Sequence, residues 1–323
     1  MTVSEQFSNY VLPTYGRFPI IPVKASGTYL WDDQGKQYLD FCTGIAVCSI
    51  GHCHPRLTAA IQEQAATIMH CSNLYQIPQQ AQLAQMIVED FVEIPGKVFF
   101  GNSGAEANDG LIKLARRFGH AQPAANGSAR TEIITLNESF HGRTLGGLSA
   151  TGQASIQTGF SPILPGFHYA DLNDIDSVKA LINEHTCAIL LEPIQGEGGV
   201  NEATKEFLTE LKQLCDQHNL LLMLDEVQTG FGRMGENMSW RAIAPEIEPD
   251  AISWAKGMGG GFPIGSFWTS DRAIDDAGTT LSSVLGAKSH GSTYGGNPLA
   301  CAASIAVLTE IKESNLCQNA KDQ

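Results

Sequence analysis

LLLMLDEVQTGFGR at 220–233, followed by AISWAKGMGGGFPIG at 251–265, decides how this chain is read. Each stretch opens on a short apolar run, the composition of a strand buried on both faces. Each run then stops at a charged residue, Asp225 in the first and Lys256 in the second. A lysine just past a buried strand, with glycines packing backbone around it, sits where the neutral, nucleophilic amine is favoured, so it can hold an aldehyde cofactor as a Schiff base. A carboxylate at the end of a neighbouring strand can keep a pyridine nitrogen protonated, which makes the ring of pyridoxal phosphate an electron sink. Two other phosphate-binding readings fail on residue order. A Walker loop puts its glycines before Lys-Ser or Lys-Thr, and a dinucleotide fingerprint needs a third glycine where Phe262 stands.

Outward from this pair, strands are expected at Lys97–Phe100, Glu132–Leu136, Ala188–Leu191, Leu220–Leu224, Ala251–Trp254 and Pro263–Trp268. Helical stretches near 81–91, 105–118, 174–184 and 204–218 separate several of them. The alternation predicts an α/β fold with a mostly parallel central sheet covered by helices, whose ligands lie outside the carboxyl ends of the strands. Ahead of it, TYLWDDQGKQYLDF (28–41) carries a hairpin signal, and the segment with Pro13, Pro19 and Pro22 reads as an extended arm. From Pro55, Leu57, Ile61, Ala65 and Ile68 recur at helical spacing, and Asn297–Glu313 reads as a helix.

The chain has 323 residues, 43% of them hydrophobic, enough for one large α/β domain and a small one. A net charge of −14 argues against nucleic acid and anionic membrane surfaces as partners, since both need basic footprints. No apolar stretch reaches the length of a membrane span, and the N-terminus lacks a signal core, so a cytoplasmic protein is expected. The eight cysteines form no Cys-x-x-Cys pair and read as reduced thiols. His52-Cys53-His54 sits in a turn with no second ligand cluster, so no metal site is expected.

Further candidates fall at other strand ends. GNSGAEAN (101–108) follows a strand and opens a helix, so Ser103, Gly104 and Ala105 can form an anion site; Ser103 can equally be an ordinary N-cap. Phe140 and His141 offer an aromatic face or a piece of core. Arg143 is a planar donor suited to a carboxylate, or a surface ion-pair partner. Glu197 lies on a glycine-rich turn that faces the site or solvent, Gln228 follows Asp225 by three residues, and HGSTYGGNP (290–298) brings hydroxyls toward a helix start.

Together these residues resemble the class III, fold-type I, pyridoxal-phosphate-dependent aminotransferases, and among them the acetylornithine aminotransferases. The likeness is carried by GRFPI (16–20), GHCHP (51–55), NSGAEAN (102–108), FHGRTLG (140–146), EPIQGEGG (192–199), LDEVQTGFGR (224–233), AKGMGGGFPIG (255–265) and HGSTYGGNPLA (290–300). The resemblance implies that Lys256 carries the cofactor, Asp225 pairs with its ring nitrogen and Gln228 touches its ring oxygen, with Glu226 and Val227 beside them. It implies that Gly104 and Ala105, next to Ser103, hold the phosphate, that Thr293 of a second subunit reaches it, and that Phe140 stacks on the ring. Arg143, Glu197 and Ser292 are implied for substrate, and a homodimer with shared sites is implied as the assembly. The activity implied is ping-pong transfer of the terminal amino group of N-acetylornithine to 2-oxoglutarate; ornithine, succinylornithine and 4-aminobutyrate are the alternative donors, and an inactive paralogue is the alternative of another kind. Relatives carry a C-terminal small domain whose arginine pairs with the glutamate matching Glu197. The implied division is therefore 1–66 for the arm and hairpin, 67–309 for the large cofactor-binding domain, and 310–323 for the start of a truncated small domain. Asp109 stands where relatives usually carry glutamate.

Overall fold

The computed structural model describes residues 1–323. Its N-terminal part opens on α1 (Val3–Tyr10), where Thr2 and Glu5 form a reciprocal capping box. Next come β1 (Pro22–Ser26), β2 (Tyr29–Asp32) and β3 (Gln37–Leu39), an antiparallel three-stranded sheet. The hairpin is where the sequence places it, but part of the expected arm is strand and helix. Then follows α2 (Thr43–Ala46), a single left-handed turn whose four residues have φ of 48°, 70°, 62° and 60°. Left-handed backbone costs about 1–2 kcal/mol per non-glycine residue, so this turn persists only where its surroundings hold it.

In α3 (Pro55–Thr67) Leu57 and Gln64 are the buried residues, whereas Ala65, apolar-facing by its spacing, is exposed. The helix α4 (Pro78–Met86) continues as a π-helical turn over Ile87–Val92 into β4 (Gly96–Gly101). The chain then runs α5 (Gly104–Ala121), β5 (Glu132–Leu136), α6 (Leu145–Ala150), α7 (Ala154–Gln157), β6 (Phe167–Ala170), α8 (Ile175–Leu181) and β7 (Thr186–Leu191). A small pair, β8 (Ile194–Gln195) and β9 (Asn201–Glu202), precedes α9 (Lys205–His218), β10 (Leu221–Asp225), α10 (Ser239–Ile243), β11 (Ala251–Trp254) and β12 (Gly265–Ser270). The chain closes with α11 (Pro298–Glu313), which runs unbroken past residue 309, and α12 (Leu316–Asp322).

Seven strands form the main sheet in the order β4-β12-β11-β10-β7-β5-β6. Only β12 runs against the others. The ten residues between β11 and β12 are too few for the crossover that a parallel return needs, so the chain turns back on itself. The strand β6 is absent from the sequence expectation; Phe-His-Tyr-Ala is too short to carry a period of its own.

Alternate strand residues feed two cores, which is why the inner strands read as unbroken apolar runs. Ile133, Ala188, Leu190, Leu221, Met223 and Ala251 pack with α5 on one side. Ile134, Ile189, Leu191, Leu222, Leu224 and Ile252 pack on the other with residues of α9 and α11. The parallel strands β4, β5, β7, β10 and β11 thus end along one edge, and each delivers its next residues to the same place. No helix is long and apolar enough to cross a membrane.

Candidate active site

A cavity of ≈ 240 Å³ opens at that edge, and residues after all five strand ends line it. Gly104, Ala105 and Asn108 come from the start of α5, and Phe140, His141, Gly142 and Arg143 follow β5. Glu192 and Glu197 follow β7, Asp225 ends β10 with Val227 and Gln228 just beyond it, and Lys256 follows β11. Close approach explains two glycines. Gly142 has a φ of +123°, and a Cβ there would stand 2.9 Å from that of Ala105; a Cβ on Gly265 would stand 2.1 Å from the Ser103 carbonyl oxygen.

Asp225 is buried and accepts three hydrogen bonds. Asn108 Nδ2 donates to Oδ2 at 2.7 Å, His141 Nδ1 to the same oxygen at 2.8 Å, and the Val227 amide to Oδ1 at 3.0 Å. Asn108 is itself fixed, since its Oδ1 accepts from Ser253 Oγ at 2.6 Å and its Nδ2 also donates to the His141 carbonyl at 3.0 Å. Because a carboxylate only accepts, the His141 proton sits on Nδ1. Burial disfavours the charged imidazole, yet the Asp225 hydrogen bond and charge, with Glu192 adding to them, outweigh it and raise the His141 pKa. Its Nε2 is buried without a partner.

Lys256 has the opposite shift. Burial pulls its pKa below the usual lysine value, against the attraction of Asp225, Glu197 and Glu192 and with help from the Arg233 charge. That is the direction a nucleophilic amine requires. Lys256 also holds a left-handed backbone, φ 43°, a strained setting for a non-glycine residue. Glu192 is pushed up to about 7, first by burial and then by the charge of Asp225, although His141 and the backbone amides of Phe140 and Gly196 act the other way. The Phe140 amide donates to Glu192 Oε2 at 2.9 Å.

The outer part of the cavity is open. Arg143 is exposed, has no acidic partner, and lies with its guanidinium 5.5 Å from the Phe140 ring centroid. Glu197 is exposed and meets only the Gln228 amide, at 3.5 Å. Asp109 accepts from the Thr144 hydroxyl at 3.0 Å and so ties α5 to the N-cap of α6, one residue past Arg143.

Four sequence candidates lie elsewhere. Ser103 is the N-cap of α5, its Oγ accepting from the Glu106 amide at 3.2 Å, so its side chain does not line the cavity. Glu226 points into the protein, where it accepts from the amides of Ser239 and Trp240 at 3.0 and 2.9 Å and caps α10. Successive side chains alternate at a strand end, so Asp225 and Glu226 cannot both face the cavity. Ser292 and Thr293 line a separate shallow groove with His70, Ser72, Asn73 and Leu74. Conversely, Asn108 and Glu192 stand inside NSGAEAN and EPIQGEGG without being singled out there, and His141 reads only as an aromatic neighbour. As for His52-Cys53-His54, His52 bonds Asp40 and His54 faces Glu310.

The residues fit pyridoxal phosphate. A cavity holds an amine of lowered pKa, a buried carboxylate locked by three donors, an aromatic face at Phe140, and the free N-terminal end of α5 for an anion. Such a site on an α/β sheet defines a pyridoxal-phosphate-dependent enzyme. The sequence description of the class-III aminotransferases matches residues 10–323, and the chain belongs to that family. Among curated relatives, the acetylornithine aminotransferase of Caldanaerobacter subterraneus is 49% identical over 310 residues, 96% of this chain and 75% of that protein. That of Aquifex aeolicus is 46% identical over 304 residues, covering 94% and 77%. Among solved structures, the ornithine aminotransferase of Toxoplasma gondii, described with partial occupancy of PLP at its active site, superposes with a TM-score of 0.88 at 31% identity, covering 98% of this chain and 72% of that one. The acetylornithine aminotransferase of Elizabethkingia anophelis gives 0.82 at 28% identity, covering 99% and 74%.

Proposed function

We propose that this protein transfers the terminal amino group of N-acetylornithine to 2-oxoglutarate by a ping-pong route. The observation that carries the chemistry is the meeting of Lys256 and Asp225 in one cavity from neighbouring strand ends. The donor rests on relatives of this name at 43–49% identity over most of the chain.

When bound, pyridoxal phosphate supplies an electron sink that acidifies the carbon bearing the transferred nitrogen. Lys256, its pKa lowered by burial, would take the proton from that carbon and return it on the way to product. Asp225 would hold a proton on the ring nitrogen, and Asn108 and His141 keep its carboxylate aimed. Phe140 would offer its face to the ring and Gln228 its amide to the ring oxygen, since both line the cavity. The amides at Gly104 and Ala105 would bind the phosphate at the start of α5, where the helix dipole favours negative charge. Arg143 binds a substrate carboxylate, and Glu197 lines the same cavity.

We further infer a homodimer, in which Ser292 and Thr293 serve the partner's cavity. Their groove is bordered by exposed apolar side chains, Leu74 at 92%, Tyr75 at 70% and Tyr294 at 62%, a surface that a second copy would cover. The working compartment is the cytoplasm.

Rates of glutamate formation from N-acetylornithine, ornithine and 4-aminobutyrate, each with 2-oxoglutarate, test the assignment. N-acetylornithine should give the highest kcat/KM; a preference for ornithine or 4-aminobutyrate replaces the donor, and no transfer from any of them overturns the reading.

A further inference from the structure

The left-handed turn α2 packs directly against the Lys256 loop. A second cavity of ≈ 170 Å³, lined among others by Ser49, Phe231, Arg233 and Gly257, borders that loop and shares no residue with the first. Four consecutive left-handed residues, two of them β-branched, need fixing from outside. Asp40 does this from one end: its Oδ1 accepts from the amides of Cys42 and Thr43 at 3.0 and 2.9 Å, and its Oδ2 is held by His52 Nε2 at 2.7 Å. From the other end Arg233 donates to the Ala46 carbonyl at 3.3 Å. Three residues further on, the Ser49 hydroxyl donates to the Gly257 carbonyl at 2.8 Å.

That last bond joins two strained places. Gly257 directly follows Lys256, so anchoring the Gly257 carbonyl, part of the Gly257–Met258 peptide, fixes the chain one residue past the lysine and limits how far the loop that carries it can move. We propose that the turn Thr43–Ala46 is a strut that sets the position of the Lys256 amine, with Ser49 and Arg233 as its positioning residues. The inference rests on Lys256 being the lysine that carries the chemistry. Arg233 adds charge to geometry: it has no acidic partner, and the charged groups facing Lys256 are Asp225, Glu197 and Glu192, which favour the ammonium, and Arg233, which opposes them. Loss of the Ser49 bond lets the loop relax toward water, while loss of the Arg233 charge leaves the three carboxylates unopposed. Both changes make the amine more basic.

Competitive acetylation of the cofactor-free chain across a pH series, followed by peptide mapping, reads the ionisation of Lys256 itself. Ser49→Ala and Arg233→Gln should each move its labelling midpoint upward, so that labelling near neutral pH falls about three- to ten-fold. Ser49→Thr and Arg233→Lys, which restore the hydroxyl and the charge, should follow the parent, and the exposed Lys24 should label alike in every protein. A Ser49→Ala profile superimposable on the parent overturns the strut; if that variant loses its near-ultraviolet circular dichroism, Arg233→Gln decides on the same criterion. Borohydride reduction of the cofactor-treated parent separates the two levels. Cofactor fixed on a lysine other than 256 removes the functional reading, while the Lys256 labelling midpoints still decide the strut.

Discussion

Asp225 and Arg143 line one cavity under opposite conditions. The carboxylate is buried and accepts three hydrogen bonds, while the guanidinium is exposed with no acidic partner. Deep in the cavity, both carboxyls are positioned by residues from other strand ends before any ligand arrives, Asp225 by Asn108 and His141 and Glu192 by the Phe140 amide. At the mouth, Arg143 and Glu197 keep solvent-facing charges whose partners must come from outside the chain. A fixed polar floor loses little reorganisation energy during reaction, whereas a loosely held rim can accept and release substrates of different length. The contrast predicts that floor substitutions act on rate and rim substitutions on substrate choice.

Lys256→Ala tests the floor at its centre and should have the largest effect. Loss of the general base alone removes about 10²–10⁴ in rate, and the cofactor should no longer be fixed on the chain by borohydride. Retained transfer at a tenth of the parent rate would mean that another base serves the site. Asp225→Asn comes next. It keeps the shape but removes the charge that holds a proton on the ring nitrogen, so single-turnover rates should fall by about 10²–10³ while cofactor still binds. It also leaves His141 without its carboxylate, so the imidazole pKa, followed by NMR, should drop below its value in the parent.

Arg143→Ala probes the rim. A hydrogen bond to a charged group contributes about 1.5–3 kcal/mol, so kcat/KM for N-acetylornithine should fall about 10- to 150-fold. The decrease should appear mainly in KM, because no floor residue depends on Arg143. An equal loss in kcat with KM unchanged would place Arg143 with the floor and erase the distinction.

Much of the floor is legible in the sequence because strand ends are legible. Asp225 and Lys256 each stop an apolar run, which marks both as strand-end candidates, and the motifs at the other strand ends carry the resemblance that gives the pair its chemistry. What holds them is not legible. Asn108 and His141 reach Asp225 across sequence separations of 117 and 84 residues, contacts that depend on the order β10-β7-β5 and on where α5 begins. Local spacing carries no trace of that order. Glu226 shows the converse limit: in the sequence it is as acidic and as close to the strand end as Asp225, but alternation sends it inward to cap α10. The strut behind Lys256 is hidden for a third reason, since nothing in Thr-Gly-Ile-Ala announces four left-handed residues.

Glu192 gives the smallest and sharpest prediction, because it is a floor carboxyl whose ionisation burial resists. Burial, then the Asp225 charge, push its pKa from 4.5 up to about 7. Between those two values the folded protein binds more protons than the unfolded chain, so stability should fall as pH rises from about 4.5 through about 7. Glu192→Gln keeps an acceptor for the Phe140 amide but cannot ionise. In urea unfolding at about pH 5 and pH 8, the parent should therefore lose on the order of 1–3 kcal/mol more than the variant between the two conditions. Parallel losses would mean that Glu192 is ionised in the folded protein without cost. The floor would then have room for water beside Asp225, and its contrast with the rim would be one of geometry alone.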